Sequence, residues 1–112
     1  MLDLLFVYGT LRSGFENPYA RLLHSEAELI GPATVGGSIY RVRHYPAYRN
    51  HPDGEVRGEV WRLKNPEMTL RVLDDYEGED FERVVVNGHW LYRYLPVPPA
   101  GSRILSGDFL SR

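Results

Sequence analysis

Six carboxylates crowd into nine consecutive positions of the chain: Asp74, Asp75, Glu77, Glu79, Asp80 and Glu82. A run of this kind is ordinarily a solvated face, and five of the six are read that way. Glu77 stands apart because it immediately precedes Gly78, a residue suited to ending a helix. A carboxylate at a helix C-terminus meets the negative end of the macrodipole, which favours its protonated form, and partial burial acts in the same direction. Both effects move a glutamate toward the range useful in general acid/base catalysis. A second candidate is the stretch YGTLRSG, residues 8 to 14. An apolar strand that opens into a glycine-containing loop can aim consecutive backbone N–H groups at an anion. The Gly-Lys-Ser/Thr ending of a phosphate-binding loop is missing, and Gly9 read alone also fits an ordinary turn.

Other chemistries find less support. His24, His44, His51 and His89 are scattered, with no paired spacing and no cysteine to complete a tetrahedral site, so no metal centre is expected. The absence of cysteine also excludes disulfides and a thiol nucleophile. Ser13, Ser25, Ser38, Ser102, Ser106 and Ser111 all lack the Gly-x-Ser-x-Gly context of a nucleophilic serine. The stretch YRVRHYPAYRN, residues 40 to 50, interleaves tyrosine with arginine, a mixture that can stack on and pair with RNA. The same alternation describes a strand with one buried and one solvated face, and a formal net charge of -2 offers no global attraction to nucleic acid or anionic membrane.

The elements that must position these residues follow from local grammar. With 112 residues, 43% of them hydrophobic, and no apolar run of membrane-spanning length, the chain is expected to form one domain over residues 1–112. The opening MLDLLFVY lacks a basic leader region and is read as the first strand, Leu4 to Tyr8, of a cytoplasmic protein. Asn17 and Pro18, then Asn65 and Pro66, repeat a helix start with asparagine as N-cap and proline at the first helical position. The second helix places Leu70, Leu73 and either Tyr76 or Glu77 on an inward face and stops at Gly78. Between the helices, residues 27 to 63 read as strands separated at Gly31-Pro32, Gly36-Gly37, Asp53-Gly54 and Gly58. Beyond the second helix, Phe81 to Val86 and His89 to Leu95 flank Asn87-Gly88, a hairpin with a type I′ turn. A short strand, Arg103 to Leu105, is expected before the terminal SGDF. The sum is an α+β fold: a small mixed, mostly antiparallel β-barrel with two short α-helices.

Taken together, VYGTLRSG, GGSIYRVRHYPA, EVRGEVWRL, LDDYEGEDFERVVV and SGDF occur in an order and spacing that resemble the gamma-glutamylcyclotransferase-like superfamily over nearly the whole chain. The resemblance implies a small mixed barrel with Glu77 as catalytic acid/base and Tyr8, Gly9, Thr10 and Leu11 framing the substrate cavity. It implies a small-molecule gamma-glutamyl substrate whose α-amine attacks its own γ-carbonyl, releasing 5-oxoproline and a free amine without metal or cofactor. Phe81 departs from the pattern, standing where a tyrosine is frequent, so a hydroxyl is lost while the aromatic packing is kept. Arg83, two residues on, could steer the substrate carboxylate or pair with a surface acid, and is read as the latter. A non-catalytic metabolite-binding barrel and an RNA-binding small barrel are the alternative functions. No nucleic-acid or membrane partner is expected, and neither the donor amine nor the oligomeric state is encoded in a recognisable residue.

Overall fold

In the computed structural model the described residues are 1–110; Ser111 and the end of the expected domain lie outside them. Seven strands and two helices follow one another as β1 (Leu4–Val7), α1 (Pro18–Glu26), β2 (Ala27–Gly36), β3 (Ser38–Val42), β4 (Tyr45–Arg49), β5 (Glu55–Leu63), α2 (Pro66–Glu77), β6 (Phe81–Val86) and β7 (His89–Tyr94). They form a single curled sheet in the order β2-β5-β1-β7-β4-β3, with β6 paired to β7. Most pairings are antiparallel, while β7 runs parallel to both β1 and β4.

The first strand is central, antiparallel to β5 through Leu5 opposite Trp61 and parallel to β7 through Leu5 opposite Trp90. Its side chains alternate between two cores, as strand geometry requires. Leu5 and Val7 pack with Leu23, Leu70 and Leu73 of the helices. Phe6, with Tyr8 just beyond the strand, packs with Ile39, Tyr48, Val56 and Leu91 on the opposite face. Burial on both faces explains why LLFVY is an unbroken apolar run, each large side chain contributing about 1.5–3 kcal/mol. No helix among the described residues is long and apolar enough to cross a membrane.

The helix starts obey their local signals. Asn17 accepts the Ala20 N–H at 2.9 Å and Asn65 accepts that of Met68 at 3.4 Å, each with proline in the first turn. Gly78 ends α2 at φ 79°, its N–H donating to the Asp74 carbonyl. Asn87 and Gly88 both have positive φ, 52° and 82°, as a type I′ turn demands, and set Val86 opposite His89.

Three expectations need correction. Gly31-Pro32 is no turn but lies within β2, where the register with β5 shifts between Leu29 and Gly31. A bulge on an edge strand tolerates the missing proline N–H. Gly58 also lies inside a strand: a Cβ there would collide with the Val7 carbonyl and lie 2.8 Å from the Phe6 ring, so glycine is present for close packing. Arg103 to Leu105 makes only an isolated bridge, Arg103 to Tyr40, with the Ile104 N–H donating to the Ile39 carbonyl. After it the chain turns through Gly107, whose carbonyl accepts from the Arg57 N–H.

Candidate active site

The loop after β1 has no ladder to hold it, and side chains from distant segments do so instead. Asn17, besides capping α1, donates from its side-chain amide to the Thr10 carbonyl at 2.8 Å. His24 donates from Nε2 to the Leu11 carbonyl at 2.9 Å and stacks on Trp61. Glu59 of β5 accepts from both the amide and the hydroxyl of Ser13. Arg12 pairs at 3.0 Å with Asp108, placing the SGDF segment under the loop. With the Thr10 and Leu11 carbonyls held this way, the amides of Gly9, Thr10 and Leu11 donate to no acceptor among the described residues. Gly9 has no positive φ; its Cβ would come within 2.8 Å of Pro46, so close approach rather than turn geometry calls for glycine here.

The loop forms one wall of a cavity of about 640 Å³. Tyr8, Gly9, Thr10 and Leu11 line it from one side and Glu77, at the end of α2, from another, so residues 66 or more positions apart in sequence meet in one site. Of the two candidates for the inward face of α2, Glu77 turns inward. Tyr76 is partly exposed, stacks on Tyr19 with ring centroids 4.1 Å apart, and hydrogen-bonds Thr10 at 3.2 Å. Burial, and secondarily the charge of Asp74, raises the Glu77 pKa from 4.5 to about 7. This is the direction expected from the sequence, reached through desolvation and a neighbouring carboxylate.

Tyr8 is a wall rather than a free hydroxyl. Its O–H donates to the Tyr92 carbonyl at 2.6 Å and accepts from the Tyr48 N–H at 3.1 Å, bracing β1 against β7 and β4. Burial, then the proximity of Glu77, pushes its ionisation well up, so it stays neutral. Phe81 also lines the cavity, its ring tilted against Tyr45 and Tyr94 at 5.9 and 5.3 Å, so the aromatic packing expected there is present without a hydroxyl.

Three of the acids read as surface bear on the site. Glu79 is exposed but stands at the cavity rim, as does Asp80. Asp74 accepts two hydrogen bonds from Arg83, at 2.9 and 3.2 Å, and a third at 2.7 Å from the Tyr92 hydroxyl. Arg83 in turn lies over the Trp90 ring at 4.2 Å. The pairing of Arg83 with an acid is as expected, but that acid stands one helical turn before Glu77 and contributes to its state. Tyr92, which also lines the cavity, is held neutral by burial and its bond to Asp74. Sequence reading overlooked Asp74 and Tyr92. The available signal was the hairpin register, which sets Arg83 directly opposite Tyr92.

The Tyr/Arg stretch has varied duties. Tyr48 is buried, its hydroxyl donating to the Gly36 carbonyl; Arg41 lies over Phe109, Arg49 donates to the Leu95 carbonyl, and Tyr45 lines the cavity. Among the described residues no cluster of three or more metal-ligating side chains occurs.

Comparison with known proteins agrees with this architecture. A solved structure of the uncharacterized protein PH0828 from Pyrococcus horikoshii superposes with a TM-score of 0.78 at 27% identity, covering 96% of this chain and 89% of that one. The ytfP protein of Escherichia coli is 32% identical, with a TM-score of 0.71 and 96% of both chains covered. An AIG2-like protein of Mus musculus is 25% identical, with a TM-score of 0.69 over 86% of this chain and 80% of that one. No curated protein is a significant match. The family model described as gamma-glutamyl cyclotransferase, AIG2-like, matches residues 5–111, which includes both the β1 loop and the end of α2. The chain therefore belongs to the AIG2-like gamma-glutamyl cyclotransferase family.

Proposed function

We propose that the protein is a cofactor-independent gamma-glutamylcyclotransferase that converts a gamma-glutamyl amine or gamma-glutamyl amino acid into 5-oxoproline and a free amine. The observation that carries this reading is a half-buried glutamate with a pKa raised to about 7 that lines the same cavity as a loop whose Gly9, Thr10 and Leu11 amides have no partner among the described residues. In this mechanism Glu77, deprotonated, takes a proton from the substrate α-ammonium. That group is mostly protonated, and so non-nucleophilic, at pH 7, and a base must take its proton. The amine nitrogen then bonds to the γ-carbonyl carbon, whose oxygen becomes an oxyanion facing the amides of Gly9, Thr10 and Leu11. As the oxyanion collapses, the bond to the departing nitrogen breaks as Glu77 passes its proton to that nitrogen; Glu77 then takes the second proton from the ring nitrogen, leaving the neutral lactam, and that proton ends on the released amine, which departs as an ammonium. The five-membered ring closure supplies much of the proximity within the substrate itself, leaving the protein to fold the chain and stabilise charge. Tyr8, Gly9, Thr10 and Leu11 are assigned to substrate binding, with Tyr8 acting through its ring.

A panel of gamma-glutamyl compounds, assayed for release of 5-oxoproline, tests the proposal. Turnover of at least one member that is lost in Glu77→Gln is the expected result. A folded parent protein that releases no 5-oxoproline from any of them overturns it in favour of a metabolite-binding role.

A further inference from the structure

Four tyrosines line the cavity, and their hydroxyls have different fates. Tyr8 is bonded to the backbone of Tyr92 and Tyr48, Tyr92 to Asp74, and Tyr76 to Thr10. Only the Tyr45 hydroxyl has no protein partner among the described residues. Its ring is nevertheless oriented, packed against Phe81. Its backbone sits at the start of β4, opposite Val42, across a two-residue turn. Arg43 in that turn takes φ 56°, a left-handed conformation in which arginine is uncommon and strained. A strained hairpin tip thus delivers Tyr45 to the wall of the cavity.

The charge balance of the cavity supplies the second half of the argument. Among the described residues its lining contains Glu77, Glu79 and Asp80, and on the basic side only His44, which is exposed at the same hairpin tip; it contains no lysine or arginine. Arg83 is held by Asp74, and Arg43 is exposed outside the lining. A gamma-glutamyl group brings a zwitterionic head. Its ammonium is suited to the carboxylates, whereas its α-carboxylate needs hydrogen-bond donors when it leaves water. The loop amides already face the γ-carbonyl in the mechanism above. Burial holds the Tyr45 phenol protonated, aided by nearby Tyr94 and opposed by Arg43, so it remains a donor.

Resting on the cyclotransferase reading, we infer that Tyr45 is a specificity-determining residue whose hydroxyl donates to the α-carboxylate of the gamma-glutamyl group. The site therefore selects gamma-glutamyl compounds with a free α-carboxylate. Titration calorimetry of the parent and Tyr45→Phe with 5-oxoproline, and with 2-pyrrolidinone, which lacks the carboxylate, tests the inference alongside turnover of a gamma-glutamyl amine. The expected result is about tenfold weaker binding of 5-oxoproline by Tyr45→Phe, unchanged binding of 2-pyrrolidinone, and a lower kcat/KM carried mainly by KM. Equal affinity of parent and variant for 5-oxoproline, or equal losses for both ligands, overturns it while leaving the cyclotransferase reading intact wherever the parent turns substrate over. A parent that neither binds 5-oxoproline nor turns over any gamma-glutamyl compound removes both.

Discussion

Asp74 and Glu77 stand one turn apart on α2, yet the molecule treats their carboxylates in opposite ways. Asp74 faces β6 and β7, where Arg83 grips both its oxygens and the Tyr92 hydroxyl adds a third bond. Glu77 faces the cavity, where no cation approaches it among the described residues, and burial together with the Asp74 charge raises its pKa to about 7. The first arrangement consumes a carboxylate's acceptor capacity in holding structure; the second leaves a proton exchangeable near neutral pH. Three residues of helix therefore separate a structural anion from a group suited to acid/base chemistry, and the difference comes from what packs opposite each.

The largest test of this contrast is kinetic. Glu77→Gln preserves shape but cannot exchange a proton, so kcat for a gamma-glutamyl substrate is expected to fall by roughly 10²- to 10⁴-fold, with the far-ultraviolet circular dichroism of the parent retained. A variant with the parent's rate would assign the chemistry to another group.

Stability against pH provides the next largest effect. The folded-state pKa of Glu77, about 7, lies above its ordinary value of 4.5, so the native protein binds more protons than the unfolded chain between these values. The contribution is complete below the unfolded value and is lost as pH rises toward 7, amounting to at most about 3 kcal/mol. Denaturant titrations across this window should show the parent losing stability relative to Glu77→Gln; parallel curves would mean that the carboxylate is solvated.

Asp74→Asn exchanges the structural anion for a neutral isostere and is expected to act in two ways. Loss of its charge lowers the Glu77 pKa, moving the acid limb of the kcat/KM profile toward lower pH. Weakening of the half-exposed contact with Arg83 lowers stability by about 1 kcal/mol. An unmoved acid limb would uncouple the two carboxylates.

The smallest effect belongs to Glu82, an exposed acid of β6 that pairs with Arg93 away from the cavity. Glu82→Gln should leave kcat/KM unchanged and alter stability by less than about 0.5 kcal/mol, as judged by turnover and denaturant midpoint.

What was legible in the sequence depended on the range of the forces involved. Asn17-Pro18, Asn65-Pro66, Gly78 and Asn87-Gly88 announce helix ends and a hairpin because caps and turns are settled by bonds and dihedrals within a few residues. The same local reading failed at Gly31-Pro32 and Gly58. There a bulge opposite β5 and the approach of the Val7 backbone and Phe6 ring, both long-range facts, decide the conformation. Arg103 to Leu105 carries a strand-like composition, but pairing depends on an available edge, and only one bridge forms.

The site divides along the same line. Glu77 before Gly78, and the glycine-containing loop after β1, were visible as residue types in place, and the helix period narrowed the inward residue to Tyr76 or Glu77. The choice between those two, the withdrawal of the Tyr8 hydroxyl into the backbone and the grip of Arg83 and Tyr92 on Asp74 were decided by packing of α2 and β1 against β6 and β7. The four residues that pin the loop, Asn17, His24, Glu59 and Asp108, are likewise brought to it only in the folded state. Desolvation and Coulomb interaction act through space rather than along the chain. The sequence by itself therefore determined which groups were available, and the tertiary structure decided which cavity carboxylate was withdrawn from water.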